Sequence, residues 1–100
     1  MTVKLLMTWD ISSEKESDYY EFVIREFIPG IQKLGLRPAE AWATIYGEYP
    51  QIQVALLAPD LPDAQRILNS HDWTSLKSRL FDYISNFNQK VVEAKKGFQF

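Results

Sequence analysis

The chain has 100 residues, no cysteine and a formal net charge of −2 at pH 7. This length is enough for one hydrophobic core, so we expect residues 1–100 to form a single domain. The lack of cysteine excludes disulfides, thiol nucleophiles and thiolate metal sites. Nucleic-acid binding depends on basic side chains that neutralise phosphates, and the sequence has no basic stripe, so we expect no nucleic-acid partner.

The first residues, MTVKLLMTWD, contain neither the apolar region nor the cleavage site of a signal peptide. No apolar run approaches the roughly 18 residues that a membrane-spanning helix needs. We therefore expect a soluble cytoplasmic protein without a membrane partner.

The first two predicted elements are a strand and a helix. Residues 3–11 alternate so that every second side chain is apolar, which predicts a strand with one apolar face. Ser13 as N-cap and Glu16 at the third helical position form a capping box that would open the helix. Gly35 fits the left-handed position that ends a helix, and Phe22 stands off the apolar stripe. That stripe consists of Tyr20, Val23, Ile24, Phe27, Ile31 and Leu34.

Two further strands are predicted at residues 40–47 and 51–58, joined by a turn at Gly47. After them, Asp60 is suited to cap a short helix over 61–70. A longer helix would follow, with Asp72 as its N-cap, and a final strand would cover residues 89–96. The apolar positions of the longer helix are Trp73, Leu76, Leu80, Tyr83, Ile84 and Phe87.

This order of elements predicts an α+β fold of the ferredoxin-like βαββαβ type. Right-handed crossovers and an antiparallel middle hairpin give a four-stranded antiparallel sheet in the order 4-1-3-2. Both helices then lie on one face, and the second is broken near residues 70–72. Ala41 and Ala43 would allow a helix to approach the sheet closely.

The face of the sheet without helices carries a mixture of large apolar and polar side chains. The predicted members are Lys4, Leu6, Thr8, Asp10, Glu40, Trp42, Thr44, Tyr46, Gln51, Gln53, Ala55, Leu57, Val91, Glu93 and Lys95. Burying its five large apolar groups would contribute about 2 kcal/mol each. Association costs roughly 4–15 kcal/mol, and a two-fold dimer buries the same patch twice. We therefore expect a homodimer formed through this face.

The element order, the two-faced sheet and the segment HDWTSLKSRLFDYISNF resemble the dimeric α+β barrel superfamily. This superfamily pairs two ferredoxin-like sheets around an interior that holds a small, often aromatic ligand. It includes cofactor-independent monooxygenases of polyketide quinones, muconolactone isomerases, haem-degrading monooxygenases and many uncharacterised families. The resemblance implies a homodimer with a cavity inside the barrel or between sheet and helices, and leaves the reaction open.

The sequence contains no catalytic motif, so the candidate site residues are taken from the face of the sheet without helices. Trp42 and Tyr46 offer an aromatic wall, and Thr8 and Gln53 offer polar groups, which suits a small planar ligand. Lys4 and Asp10 are the candidate catalytic groups, since each could move a proton if partly buried. The alternative is that these side chains pair and pack across the dimer interface.

The single histidine, His71, is better explained as the joint between two helices than as a base paired with Asp72. The first strand reads LLMTWD and lacks the asparagine of the haem-degrading families, so we expect no haem. A lone histidine without cysteine also argues against a metal site, and nucleotide-binding motifs are absent, so no cofactor is predicted.

Three functions therefore remain open. The chain could be a cofactor-independent monooxygenase or isomerase of a small aromatic or lactone-like compound. It could be a non-catalytic ligand-binding or sensing homodimer, or a purely structural homodimer. The first two require an enclosed cavity reached by the candidate residues, whereas the third requires that those residues pack without a void.

Overall fold

The computed structural model describes residues 2–46 and 49–93, with the backbone alone at residues 45, 46, 49 and 50. All neighbouring strands are antiparallel, and their order β2-β3-β1-β4 confirms the predicted 4-1-3-2 sheet. The helices pack on one face, so the predicted ferredoxin-like arrangement is confirmed. The strands are β1 (Val3–Ile11), β2 (Arg37–Tyr46), β3 (Tyr49–Ala58) and β4 (Ile84–Glu93). The predicted turn at Gly47 lies outside the described residues.

Strand β1 is central and shows the predicted alternation. Its apolar face is buried beneath the helices, and the intervening side chains are half-buried on the opposite face. The buried members are Val3, Leu5, Met7, Trp9 and Ile11.

The first helical segment runs from Glu16 to Lys33 and widens in its middle. It consists of α1 (Glu16–Phe22), a π-helical turn (Val23–Phe27) and α2 (Ile28–Lys33). Pro29 has no N–H to donate to the carbonyl four residues earlier. Just before it, the N–H of Ile28 bonds five residues back, to the carbonyl of Val23, as in a π-helix. The proline therefore coincides with a change of pitch in the helical segment.

This change of pitch moves the buried face of the segment. Phe22 and Phe27 are both buried, and their separation of five residues fits a π-helical turn but not an α-helix. Tyr20 and Ile24, predicted to face the core, are exposed instead, with 68% of Ile24 accessible. These predictions, and the prediction that Phe22 stands off the core stripe, were wrong because they assumed regular α-helical spacing.

The two ends of the segment differ in how well the sequence predicts them. The helix begins at Glu16 with Lys15 as its N-cap, and Glu14 has a φ of 66°, outside the helical region, so the predicted capping box at Ser13 was wrong. The glycine cap is confirmed, since Gly35 has a φ of 98°. The two hydrogen bonds of a Schellman motif accompany it, from Gly35 to Gln32 and from Leu36 to Ile31, each 3.1 Å long.

The second helical region is a pair, α3 (Leu61–Leu68) and α4 (His71–Leu80), which confirms the predicted break. Asp60 caps α3, as predicted, by accepting the N–H of Asp63 at 2.8 Å. Helix α4 is capped by Ser70, whose hydroxyl accepts the N–H of Trp73 at 3.1 Å. Asp72 therefore lies within the first turn, and its prediction as N-cap was wrong because the helix begins two residues earlier than that cap implies.

Strand β4 begins earlier than predicted. Helix α4 ends at Leu80, so Ile84 and Phe87 belong to β4 and not to the helix. Between Thr8 and Asp10 of β1 the register shifts, because Thr8 pairs with Asn88 and Asp10 with Ser85. Opposite this interval β4 contains one extra residue, and Asn86 has a φ of 55°. The bulge puts Ile84 and Phe87 on the same face of the strand. Because they are three residues apart, their spacing in the sequence is the same as that of two residues on one face of a helix.

Two predictions about the faces of the sheet also require correction. Val91 pairs with Leu5 and Glu93 with Val3, so both lie on the helix side rather than on the uncovered face. The β4 residues opposite the outward side chains of β1 are Asn88, Lys90 and Val92. Lys95 lies outside the described residues. Ala41 and Ala43 face the helix side but are exposed, because β2 reaches beyond the helices that were expected to pack on it.

Candidate functional site

A cavity of about 200 Å³ lies between the first helical segment and the sheet, and we call it the helix–sheet cavity. It lies where the helical cover stops short of β2. Its helical wall consists of Tyr19, Tyr20, Val23, Phe27, Ile28 and Ile31. The sheet contributes Trp9, Pro38, Ala41, Ile52, Val54 and Leu56, and Glu40 and Trp42 complete the lining from β2.

The deepest wall of the cavity contains a hydrogen-bonded pair of aromatic residues. The indole N–H of Trp9 donates to the hydroxyl of Tyr19 at 2.9 Å, and both residues are buried. Burial raises the pKa of Tyr19 to about 12, although the hydrogen bond from Trp9 acts in the opposite direction. Phe27 meets Trp9 edge to face and Phe87 stacks on it, each at 6.0 Å between ring centres. The pair is therefore rigidly held and stays neutral.

The rim of the cavity is apolar and partly exposed. Tyr20 and Ile28 border it from the helical segment, and Trp42 borders it from β2 with 45% of its surface accessible. Trp42 pairs in register with Gln53, a residue of the uncovered face, but its position on the edge strand also brings it to the cavity. Every atom that the lining residues expose on the cavity wall is apolar.

The sequence-predicted ligand residues divide between two places. Thr8 and Gln53 are paired across β1 and β3 and line an open hollow of about 410 Å³ on the uncovered face. The other residues of this hollow are Leu6, Asn88, Gln89 and Lys90. Trp42 pairs with Gln53 on the same face and also borders the helix–sheet cavity. Tyr46 ends β2, and its side chain lies outside the described residues.

The two catalytic candidates lie far apart on β1. Six residues of extended strand separate Lys4 from Asp10, which amounts to about 20 Å. Asp10 accepts a hydrogen bond from the amide of Asn86 at 2.7 Å. The strand directs both residues toward the uncovered face, away from the helix–sheet cavity. One small substrate could not contact both groups within one protomer.

His71 is exposed at the first residue of α4, in the position of a joint between the two helices. Across residues 2–46 and 49–93, no three histidine, aspartate or glutamate side chains gather in a group that could hold a metal ion. The same residues include no helix long and apolar enough to cross a membrane.

Sequence reasoning missed the helix-side residues of the cavity, above all Tyr19. Tyr19 lies at the margin of the predicted stripe, four residues before Val23, and the π-helical turn helps to bring Tyr19, Phe27 and Ile31 to one face. Pro29 was the available signal, since a proline inside a helical pattern marks a place where the pitch can change.

No protein-family model and no curated protein matches the sequence. Several solved structures resemble the fold. An uncharacterized NIPSNAP-like domain protein from Burkholderia xenovorans is 14% identical with a TM-score of 0.71, over 98% of this chain and 89% of that one. A dimeric protein of unknown function and ferredoxin-like fold from Bacteroides fragilis is 15% identical with a TM-score of 0.64, over 93% of this chain and 96% of that one.

A third similar structure is a candidate antibiotic biosynthesis monooxygenase from Nitrosomonas europaea. It is 8% identical with a TM-score of 0.66, over 95% of this chain and 91% of that one. At such identities the likeness shows the fold alone. The chain therefore has a ferredoxin-like fold, which is the fold that the resemblance read from its sequence implied. Its solved neighbours include NIPSNAP-like proteins.

Proposed function

We propose that this protein is a homodimeric small-molecule-binding protein and that its ligand occupies the helix–sheet cavity. The observation that carries the proposal is the cavity itself, because about 200 Å³ of apolar space is left open in an otherwise closely packed core. A concave apolar surface lined by buried aromatic and aliphatic side chains is typical of small-molecule sites, so this cavity favours a ligand site. A cytoplasmic location stays a prediction from the sequence.

The proposed dimer pairs the uncovered faces of two sheets. Leu6 and Leu57 are half-buried there among polar neighbours, and the Bacteroides protein of the same fold is described as dimeric. In such a dimer the hollow around Thr8 and Gln53 would face the partner and form the interior of a barrel. This hollow is the place where the sequence-predicted polar contacts to a ligand would act.

A first experiment tests the dimer by sedimentation velocity at micromolar concentration. The wild-type protein should sediment with twice the mass of the 11.7 kDa chain. Leu6→Lys places a charge on the uncovered face and should give monomers. The matched control, Ile24→Lys, changes an exposed residue of the helical segment and should remain dimeric. A monomeric wild-type protein would contradict the proposed assembly.

A second experiment tests the ligand site by thermal-shift screening of small compounds. Ala41 lines the cavity and Ala43 lies two residues further along the same face of β2; both are exposed. Ala41→Leu should narrow the cavity, whereas Ala43→Leu adds the same bulk beside it. Compounds that raise the Tm of the wild-type protein and of Ala43→Leu, but not of Ala41→Leu, support the site. Hits that stabilise all three proteins equally count against it.

A second candidate function is a cofactor-independent monooxygenase or isomerase reaction on a compound bound at the uncovered face, beside the hollow around Thr8 and Gln53. It is favoured by the likeness of fold to the Nitrosomonas protein and by the candidate groups Asp10 and Lys4 on the uncovered face. Screening hits should be incubated in air and analysed by mass spectrometry for added oxygen and by NMR for rearrangement. Product formation that is lost in Asp10→Asn or Lys4→Met with binding retained would establish catalysis. Unchanged hits would leave binding as the function.

A further inference from the structure

We infer that the helix–sheet cavity takes a neutral apolar compound, or the apolar end of a longer one, and rejects both anions and groups that need a hydrogen-bond partner. This inference rests on the proposed function and names the class of ligand for the same site. Of the aromatic and lactone-like compounds expected from the sequence, it favours the aromatic ones. A lactone carbonyl inside the cavity would have no hydrogen-bond donor.

The first support comes from the way in which the cavity wall satisfies its own polar groups. Trp9 and Tyr19 bring an indole N–H and a phenol to this wall, and each could have bound a ligand. The indole N–H is donated to the Tyr19 hydroxyl at 2.9 Å, and neither polar atom is exposed on the wall, where every exposed atom is apolar. A carbonyl buried here would lose its hydrogen bonds to water without a replacement, which costs more than burying the corresponding hydrocarbon.

Charge provides the second support. Glu40 is the charged residue among the lining side chains, and the described lining contains no lysine, arginine or histidine. Tyr19 adds no charge at neutral pH, as is usual for tyrosine, and burial raises its pKa further, to about 12. A carboxylate or phosphate in the cavity would therefore be desolvated without a cation to pair with.

The rim provides the third support, since it extends the apolar surface outward. Tyr20, Ile28 and Trp42 are each partly exposed and border the opening. An apolar ligand longer than the cavity could continue along these side chains, and any polar end would then remain in water. The rim and the wall thus favour the same class of compound.

Three probes of similar shape and different polarity test the inference. Indane is a bicyclic hydrocarbon, phthalide is an aromatic lactone of nearly the same outline, and indane-2-carboxylate adds a negative charge. Their dissociation constants should be measured by ligand-observed NMR with the wild-type protein, with Ala41→Leu and with the control Ala43→Leu. Indane should bind the wild-type protein about tenfold more tightly than phthalide, equivalent to about 1.4 kcal/mol. Indane-2-carboxylate should bind at least tenfold more weakly than phthalide.

The variants separate failure of this inference from failure of the proposed function. Ala41→Leu should weaken indane binding at least tenfold, whereas Ala43→Leu should change it less than twofold. Phthalide or the carboxylate binding as tightly as indane, and weakened by Ala41→Leu, would overturn the inference while supporting the cavity as a ligand site. Binding that Ala41→Leu does not weaken, or no binding of any probe, would overturn both.

Discussion

The helix-covered side of the sheet has two regions that differ in packing although both are apolar. Around α3 and α4 the core is filled, and Met7, Trp73 and Leu80 have no exposed surface. Toward β2 the same side of the sheet is open, with Ala41 and Ala43 exposed beside the helix–sheet cavity. We call these regions the packed region and the open region.

The difference follows from where the helices lie rather than from how apolar the strands are. In the packed region, α2 approaches α4 so closely that a Cβ atom at Gly30 would lie 2.9 Å from the side chain of Leu76. In the open region, the first helical segment covers β3 but stops before the edge of β2. An apolar sequence can therefore form either a filled core or a binding cavity, and the position of a helix decides which.

The largest expected effect is in the packed region. Trp73→Ala should lower the free energy of unfolding by about 3–5 kcal/mol, because it removes a large side chain that is fully enclosed. Urea denaturation followed by circular dichroism measures this change. The control Ile24→Ala, at an exposed position of the helical segment, should stay within about 0.5 kcal/mol of the wild-type protein. A loss below about 1 kcal/mol for Trp73→Ala would contradict the description of a filled core.

A matched pair of isoleucines compares the two regions directly. Ile67 of α3 is buried in the packed region, and Ile52 of β3 is buried at the wall of the cavity. Ile67→Ala should cost about 2–5 kcal/mol, whereas Ile52→Ala should cost at least about 1 kcal/mol less, since it enlarges an existing opening. Equal losses in urea denaturation would mean that the open region is packed as tightly as the rest.

The hydrogen bond between Trp9 and Tyr19 gives an intermediate effect. Tyr19→Phe should lower the free energy of unfolding by about 1–3 kcal/mol, because the buried N–H of Trp9 loses its acceptor. The double variant Trp9→Phe with Tyr19→Phe removes both partners, so a double-mutant cycle isolates their interaction. If the cycle gives no coupling between the two residues, the hydrogen bond does not contribute to the wall as described.

The smallest expected effect is a dependence of stability on alkaline pH. The folded protein keeps the Tyr19 proton up to a pKa of about 12, whereas a tyrosine in the unfolded chain loses it near its ordinary value of 10. Folded molecules therefore hold more protons between pH 10 and pH 12, and the free energy of unfolding should fall as pH rises through this window, by up to about 2 kcal/mol. The fall should be shallower in Tyr19→Phe, and an equal fall in both proteins would contradict the assignment.

Local chemistry made much of the fold predictable. The alternation along β1, the glycine cap at Gly35 and the aspartate cap at Asp60 each depend on residues close together in the chain, and all three predictions are confirmed. The β4 bulge and the π-helical turn were not predictable in this way. The bulge adds one residue to the two-residue repeat of a strand, and the π-helical turn adds one residue to a helical turn. The spacing of apolar residues in these segments therefore no longer matches the regular strand or helix.

The candidate site was less predictable because it depends on tertiary structure. Sequence analysis identified Trp42 as a ligand contact but assigned it to the uncovered face, and it assigned Ala41 to a close helix contact. The register keeps Trp42 on that face, and the absence of a helix over the edge of β2 leaves Ala41 exposed at the cavity. No local pattern in the strand indicates how far a helix will extend. Thr8, Gln53, Asp10 and Lys4 remain predictions for the uncovered face.

The three tryptophans allow the most direct test of the central claim, which is that the ligand occupies the helix–sheet cavity. Trp9 and Trp42 line the cavity, whereas Trp73 is enclosed in the packed region. Their indole N–H signals should be followed by two-dimensional NMR during a titration with indane. We predict that the Trp9 and Trp42 signals shift with one common saturation curve and that the Trp73 signal stays in place. A shift of Trp73 alone, or no shift of Trp9 and Trp42 at saturating indane, would contradict the account.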